Sequence, residues 1–444
     1  MSRSSRTILE HLAHRAVIAL SVAASAAQAA STSPATPTST ALVASPSPGL
    51  ATATASSVPV GPPTVSRERL PAELASLTEE EVARIVRMSP LPALPPDPTN
   101  RVADDPVAAE LGHRLFFDTR LSPAGISCAT CHDPARHFTD GRALARGIGD
   151  STRNAPTVID AARRRWTGWD GKFDSLWSQA LSPIENPVEM GSTRERVVAV
   201  VRDDDDLRRL YETCFGPMPD AATLAEPDAR DLATANILKA LGAYQRRLLS
   251  EPAPIDRLVA SLVAPATGAD AAPGRDGGEA LAPEALRGLA LFVSKAGCHQ
   301  CHRGASFTDE EFHNLGLPGA NRRVADDPAR LAAVDFLQAN PWNAAGRWSD
   351  APTSPKAAVV RGLRRSGHLF GQFRTPPLRG VALTAPYMHD GRFASLEEVV
   401  RFYDTLEGAS PVGHHGEMVL EPLGLGERGR SDLVAFLRAL GETS

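Results

Sequence analysis

Cys128-Ala129-Thr130-Cys131-His132 and Cys298-His299-Gln300-Cys301-His302 are two copies of C-x-x-C-H in one chain of 444 residues, and their reading decides the fold. Two cysteines three apart are spaced to add across the two vinyl groups of a haem, and the adjacent histidine then reaches the iron as its proximal ligand. A zinc site built from both pairs would not require a histidine directly after each pair. A thioredoxin-like dithiol would sit in an α/β pattern, which this sequence lacks. The motifs therefore predict two covalently bound haem c groups, one on Cys128, Cys131 and His132 and one on Cys298, Cys301 and His302.

The flanks of the motifs repeat as well. Gly112 and Gly288 are each followed at +3 and +4 by Leu-Phe, then by C-x-x-C-H, then by Phe-Thr-Asp. The spacing before the first cysteine differs by six residues, and the spacer after the histidine by one. Two copies of one small unit are implied, each around its own site. Helical periodicity dominates elsewhere ("TRERVVAVVRDDDDLRRLY", "DLATANILKALGAYQRRLL"), and strand alternation is nearly absent. The expected fold is mainly α, with two cytochrome c-like helical domains, each around one covalently attached haem.

Working outward, residues 1–29 read as a secretory signal. Arg3, Arg6 and Arg15 precede "AVIALSVAA", and "AQA" supplies small residues for cleavage. Periplasmic export follows as an expectation. Residues 30–66 are an Ala/Ser/Thr/Pro linker and 67–95 a short helical extension. The first haem domain is expected over 96–263, a breaker-rich linker over 264–280, and the second domain over 281–444. The formal charge is −5, and removing residues 1–29 (three Arg, one Glu, net +2) leaves −7. A mildly acidic surface argues against nucleic acid and suits a basic protein partner. No segment is long and apolar enough to span a membrane. Cys214 stands alone and reads as a small buried hydrophobe.

Between and after the motifs lie "RNAPTVIDAARRRWTGWDGKFDSLWSQALSPIENPVEMG" and "TPPLRGVALTAPYMHDGRFASLEEVV". With the paired C-x-x-C-H motifs, these segments resemble the bacterial di-haem cytochrome c peroxidase family and its MauG-like branch, from about residue 96 to the C-terminus. The resemblance implies roles. Glu189 of "NPVEMG" stands over the open face of the N-terminal haem, where one carboxylate serves peroxide as base and then as acid. Gln179 lines the same pocket, and Trp169 lies between the haems. Asn154, with the backbone carbonyls of Thr384 and Pro386, matches a calcium site, for which hard oxygen donors are suitable. Many relatives carry a blocking histidine eight residues before the asparagine of "RN-P". Here that position is Arg146, and His137, the only other histidine in that loop, lies close to the haem motif. The first haem is therefore expected to be open without reductive activation, as in the MauG-like branch.

The resemblance makes Tyr403 the expected sixth ligand of the second haem, with Met388, or no side chain at all, as the alternatives. Ordinary peroxidases place a methionine fourteen residues after the histidine of "PY-HDG". Counting from His389 lands on Tyr403, the MauG-like pattern, in a helix whose stripe is Leu396, Val399, Val400 and Tyr403. The expected activity is reduction of hydrogen peroxide with electrons from a small c-type cytochrome or a cupredoxin. Its rivals are MauG-like oxidation of a partner protein's side chain and a non-catalytic di-haem electron carrier. Homodimers occur among such relatives.

Overall fold

Glycines at two helix crossings shape the core. In α2 (Pro106–Phe117), a methyl group on Gly112 would lie 2.0 Å from the carbonyl oxygen of Ala240, in α7 (Pro227–Gln245). In α9 (Pro283–Val293), a methyl group on Gly288 would lie 2.0 Å from the carbonyl oxygen of Asp432, in α13 (Gly426–Arg438). No side chain fits at either place, so the repeated glycine is a requirement of two equivalent backbone contacts. The repeated Leu-Phe also packs inward in part: Leu115, Phe116 and Phe292 are buried, whereas Leu291 sits at the edge of its core.

The computed structural model describes residues 65, 67–263, 281–318, 327–410 and 420–441. The expected signal (1–29), nearly all of the linker 30–66 and the linker 264–280 lie outside them. The described residues belong to one unit, Pro62–Ser444. They contain thirteen α-helices and one sheet of two short antiparallel strands, β1 (Phe312–His313) and β2 (Phe373–Arg374). The protein is mainly α, as its periodicity predicts.

Two apolar cores form around the two crossings. The first gathers Leu115, Phe116, Trp177, Leu181, Val197 and Leu241. It also takes in Trp342 and Trp348 from the segment between α10 (Arg330–Ala339) and α11 (Pro355–Gly362). The second gathers Leu289, Phe292, Phe307, Leu433 and Phe436. Onto it pack Ile85 of α1 (Glu79–Val86) and Val259 of α8 (Pro254–Val263). Each half of the chain thus lends apolar side chains to the other's core. Buried polar ties reinforce this exchange: Lys239 Nζ lies 2.7 Å from Asp350, and Arg379 forms a two-pronged pair with Asp256 at 2.7 and 2.8 Å.

A second repeat, longer than the one read from the motifs, appears in the backbone. Residues 153–176 and 373–396 match without a gap at a constant offset of 220 (391 − 171). Asp160 and Gly380 both adopt left-handed φ, at 55° and 68°, and each begins a short 3-10 turn. Gly168 and Met388 do so at 80° and 73°. Thr167 pairs with Phe173 as Tyr387 pairs with Phe393. Ser175 and Ser395 then cap α4 (Leu176–Glu185) and α12 (Leu396–Thr405) through the amides of Ser178 and Glu398. The two copies also hold each other. Asn154 N donates to His389 O at 2.9 Å, and its counterpart Arg374 N donates to Trp169 O, the counterpart of His389, at 2.8 Å. The halves are therefore related by an approximate two-fold arrangement, with Trp169 and His389 in equivalent places.

Candidate haem sites

The proximal histidines are set up alike. Cys128–Cys131 form one helical turn, α3, and Cys298–Gln300 a 3-10 turn. His132 Nδ1 donates to Phe138 O at 3.2 Å, and His302 Nδ1 donates to Phe307 O at 2.9 Å. Both acceptors are the Phe of Phe-Thr-Asp, and both have left-handed φ, 56° and 53°. This conformation is costly for a bulky residue and turns the carbonyl under the ring. With Nδ1 donating, Nε2 keeps its lone pair for a metal, as an axial histidine requires. Burial pushes both imidazoles below the usual histidine range, toward the neutral form that ligates. The cysteines are free, and burial pushes the Cys128 and Cys298 thiols up to about 12.

The aspartates of Phe-Thr-Asp brace the turns that follow. Asp140 accepts from the amides of Arg142 and Arg146, at 3.0 and 3.2 Å. Asp309 accepts from Glu311 N at 2.9 Å and from His313 Nε2 at 2.8 Å. Cys301, Asp309 and His313 form the one cluster of metal-ligating type found among the described residues. No such cluster joins the two cysteine pairs, which attach to different cores. A thioether to haem would use the Cys301 sulfur, leaving His313–Asp309 as an ion pair.

Beside the first motif, the Glu189 loop is held from two sides. Met190 N and Ser192 N donate to Pro183 O and Ile184 O at the end of α4. Ile148 N and Gly149 N donate to Glu189 O and Val188 O, at 3.0 and 2.9 Å. The adjacent Arg146 carbonyl accepts from Cys131 Sγ at 3.7 Å. Glu189 is thereby brought close to Cys131. That thiol is pushed up to about 11 by burial first, then by the charges of Asp140 and Glu189. Asn186 Nδ2 donates to Glu189 Oε1 at 2.7 Å. Gln179 is half-buried on α4, one turn before Pro183, which stands where α12 has Tyr403. The Arg146 side chain is exposed and pairs with Asp150 at 3.1 Å, while the His137 ring abuts Gly380 in the other half.

The second motif opens into a cavity of about 810 Å³. Cys298, Cys301, His302 and the whole predicted stripe of α12 (Leu396, Val399, Val400 and Tyr403) line it. Burial pushes the Tyr403 phenol far above its usual range, with the two cysteines adding to the effect. Tyr403 is held in register by its neighbours. Phe402 is buried against Phe393, and Asp404 accepts from Leu425 N at 2.6 Å and pairs with Arg430 at 2.8 Å. Pattern reading missed the burial of Phe402, which packs on Phe393, and of Asp404, which is tied to Arg430 of α13. Glu398 Oε2 reaches back to accept from Ala394 N at 2.6 Å, one residue ahead of the Ser395 cap. Met388 lines the same cavity.

Trp169, Asn154, Thr384 and Pro386 line this cavity too, so the tryptophan and the three candidate calcium ligands come together with the second site. Trp169 Nε1 donates to Asn154 O at 2.9 Å. Cys214 is half-buried, 3.9 Å from Asp105, and burial pushes it up to about 11, away from reactivity. Among the described residues no helix is long and apolar enough to cross a membrane. The donor sets fit haem c on three grounds: paired cysteines, histidines with a free Nε2, and at the second motif an apolar cavity. Sequence reasoning used His389 only as the mark from which Tyr403 is counted; its ring stacks on Phe373 (3.7 Å between centroids, 9° between planes) and is pushed down to about 4 by burial. Its signal was the "HDGRF" echo of "WDGKF".

A family model described as di-haem cytochrome c peroxidase matches residues 106–262. The chain is 34% identical over 375 residues to cytochrome-c peroxidase IdrP1 of Denitromonas iodatirespirans, covering 81% of this chain and 88% of that protein. It is equally 34% identical, over 370 residues, to methylamine utilization protein MauG of Methylorubrum extorquens, covering 82% and 87%. A solved MauG-like protein associated with microbial copper homeostasis superposes with a TM-score of 0.57 at 28% identity, over 79% of this chain and 95% of that one. With two C-x-x-C-H sites built alike and relatives spanning four-fifths of its length, the chain belongs to the di-haem cytochrome c peroxidase family.

Proposed function

We propose that this protein reduces hydrogen peroxide to water in the periplasm, taking two electrons and two protons per peroxide. The first site is the peroxide-handling half (96–263), and the second (281–444) exchanges electrons with a small c-type cytochrome or a cupredoxin. The observation that carries this reading is the Glu189 loop, pinned to α4 on one side and to the turn beside Cys131 on the other. Haem iron would supply the one-electron chemistry that side chains cannot.

The residues supply positions and protons. Asn186 holds Glu189 Oε1, which leaves Oε2 to take the proton from one peroxide oxygen and return it to the other. Gln179, on the face of α4 shared with Pro183, offers an amide to hold the peroxide. The exposed side chain at Arg146 leaves that approach without a histidine. Trp169, hydrogen-bonded to Asn154 and lining the second cavity, places a π-system between the halves. Asn154, Thr384 and Pro386 would hold a calcium ion through oxygen donors.

One observation favours a second reading, oxidation of a partner protein's side chain in the MauG manner. Tyr403 faces the second cavity where a methionine would mark an ordinary peroxidase. A phenolate on that iron would stabilise its oxidised state and lower its potential. Mixing the protein with peroxide and a reduced small cytochrome separates the two: rapid oxidation of the cytochrome supports the peroxidase, and persistent inertness toward it supports the second reading.

A further inference from the structure

Arg164 and Arg374 lie within the fold, and neither has a full set of partners. Arg374 is 3% exposed. Its Nη1 donates to Thr375 O at 3.1 Å and stands 3.5 Å from Glu310, while its Nε has no partner. Arg164 Nη2 donates to Thr157 O and Ile159 O, at 2.9 and 3.2 Å, and its Nε is likewise buried and unpartnered. Both side chains line the 810 Å³ cavity at the second motif. A buried N–H is costly to leave unsatisfied, so each orphaned Nε calls for an acceptor. Mutual repulsion adds to burial in lowering the Arg164 guanidinium to about 10. Glu310 is the one carboxylate acting on both and is shared with Arg165 N, and Asp160, the other carboxylate acting on Arg164, is paired with Arg163, so positive charge is in excess. Such a pair calls for anionic oxygens supplied by whatever fills the cavity.

The repeat gives this pair a meaning. At the offset of 220, Arg374 corresponds to Asn154 and Arg164 to Thr384. Those counterparts are two of the three expected calcium ligands. Where one half of the molecule offers oxygen donors for a cation, the other half places two cations of its own. We propose that Arg164 and Arg374 form a built-in cationic site that binds the propionate carboxylates of the haem held by Cys298, Cys301 and His302. This rests on the di-haem reading, which is checked separately by counting two covalent haems per wild-type chain.

The test is a redox titration of the holoprotein with Arg374→Gln, Arg374→Lys and Arg164→Gln, each with its haem count and resonance Raman spectrum. A buried cation disfavours the ferric state, so both Gln variants should lower the midpoint potential of the second haem and leave the first unchanged. They should also shift its propionate bending modes, and Arg374→Lys should recover most of the potential. Unchanged potentials and modes in both Gln variants would overturn the proposal. Should a Gln variant lose the second haem while Arg374→Lys retains it, charge is the property used and the proposal stands. Loss of that haem from Arg374→Lys as well would overturn it.

Discussion

The two motif sites share one frame and differ in the helix that follows the second repeat. In both, a left-handed Phe turns its carbonyl under the imidazole, an aspartate braces the next turn, and a serine caps the helix that closes the second repeat. Beyond that cap the copies diverge. α4 carries Gln179 and Pro183 and leads into Asn186 and Glu189, whereas α12 carries Val399 and Tyr403 and leads into Leu406 and Ala409 at the same offset. Proline has no group to offer a metal, and tyrosine does. The frame is thus repeated where it holds a cofactor and varied where chemistry differs.

The sharpest way to break this comparison is Glu189→Gln. It should keep two haems per chain and lose peroxide turnover by about 100- to 10,000-fold in steady-state assays. Retained turnover would make the two sites alike. Gly112→Ala and Gly288→Ala test the shared frame. Each puts a methyl 2.0 Å from a carbonyl oxygen, so each should destabilise by about 3 kcal/mol in thermal unfolding, and a tolerated alanine at either would separate the halves. Tyr403→Met tests the divergence, and the second haem's potential should rise; an unchanged potential would leave Tyr403 as packing.

The smallest expected effect concerns the bracing aspartate. Asp309 is held down to about 2, chiefly by His313 against the cost of burial, and His313 is held up to about 10, by Asp309 first and by Cys301 second. Because the folded histidine value is raised, this stabilisation is complete below the unfolded value of about 6.5 and fades as pH rises toward 10. Asp309→Asn should cost about 1–2 kcal/mol near pH 6 and flatten that decline in pH-dependent unfolding. Asp140 accepts from backbone amides instead, so Asp140→Asn should leave that decline unchanged.

Much of the frame was legible in the sequence because local chemistry demands it. C-x-x-C-H, the glycine three residues before Leu-Phe, and the stripe of α12 each follow from a spacing. The second repeat was harder to see. Its identities concentrate in Asp-Gly-x-Phe-x-Ser-Leu, and the rest is conserved only as backbone conformation, as with left-handed Met388 opposite Gly168. The Arg164–Arg374 pair and the exchange of Trp342 and Ile85 between cores were not legible, since arginines and a loop tryptophan carry no periodic signal and the apolar stripe of a helix does not say which core it covers. Their partners are distant in the chain.

The central claim is that the Glu189 side of the molecule handles peroxide for electrons arriving at the other. Its most direct test is rapid mixing of the wild-type protein and Glu189→Gln with hydrogen peroxide and a reduced small c-type cytochrome, followed by optical absorbance. The account predicts fast, stoichiometric oxidation of the cytochrome by wild type, two per peroxide, and near-absence of it in the variant. A cytochrome that stays reduced with wild type, or is oxidised equally fast by the variant, would contradict it.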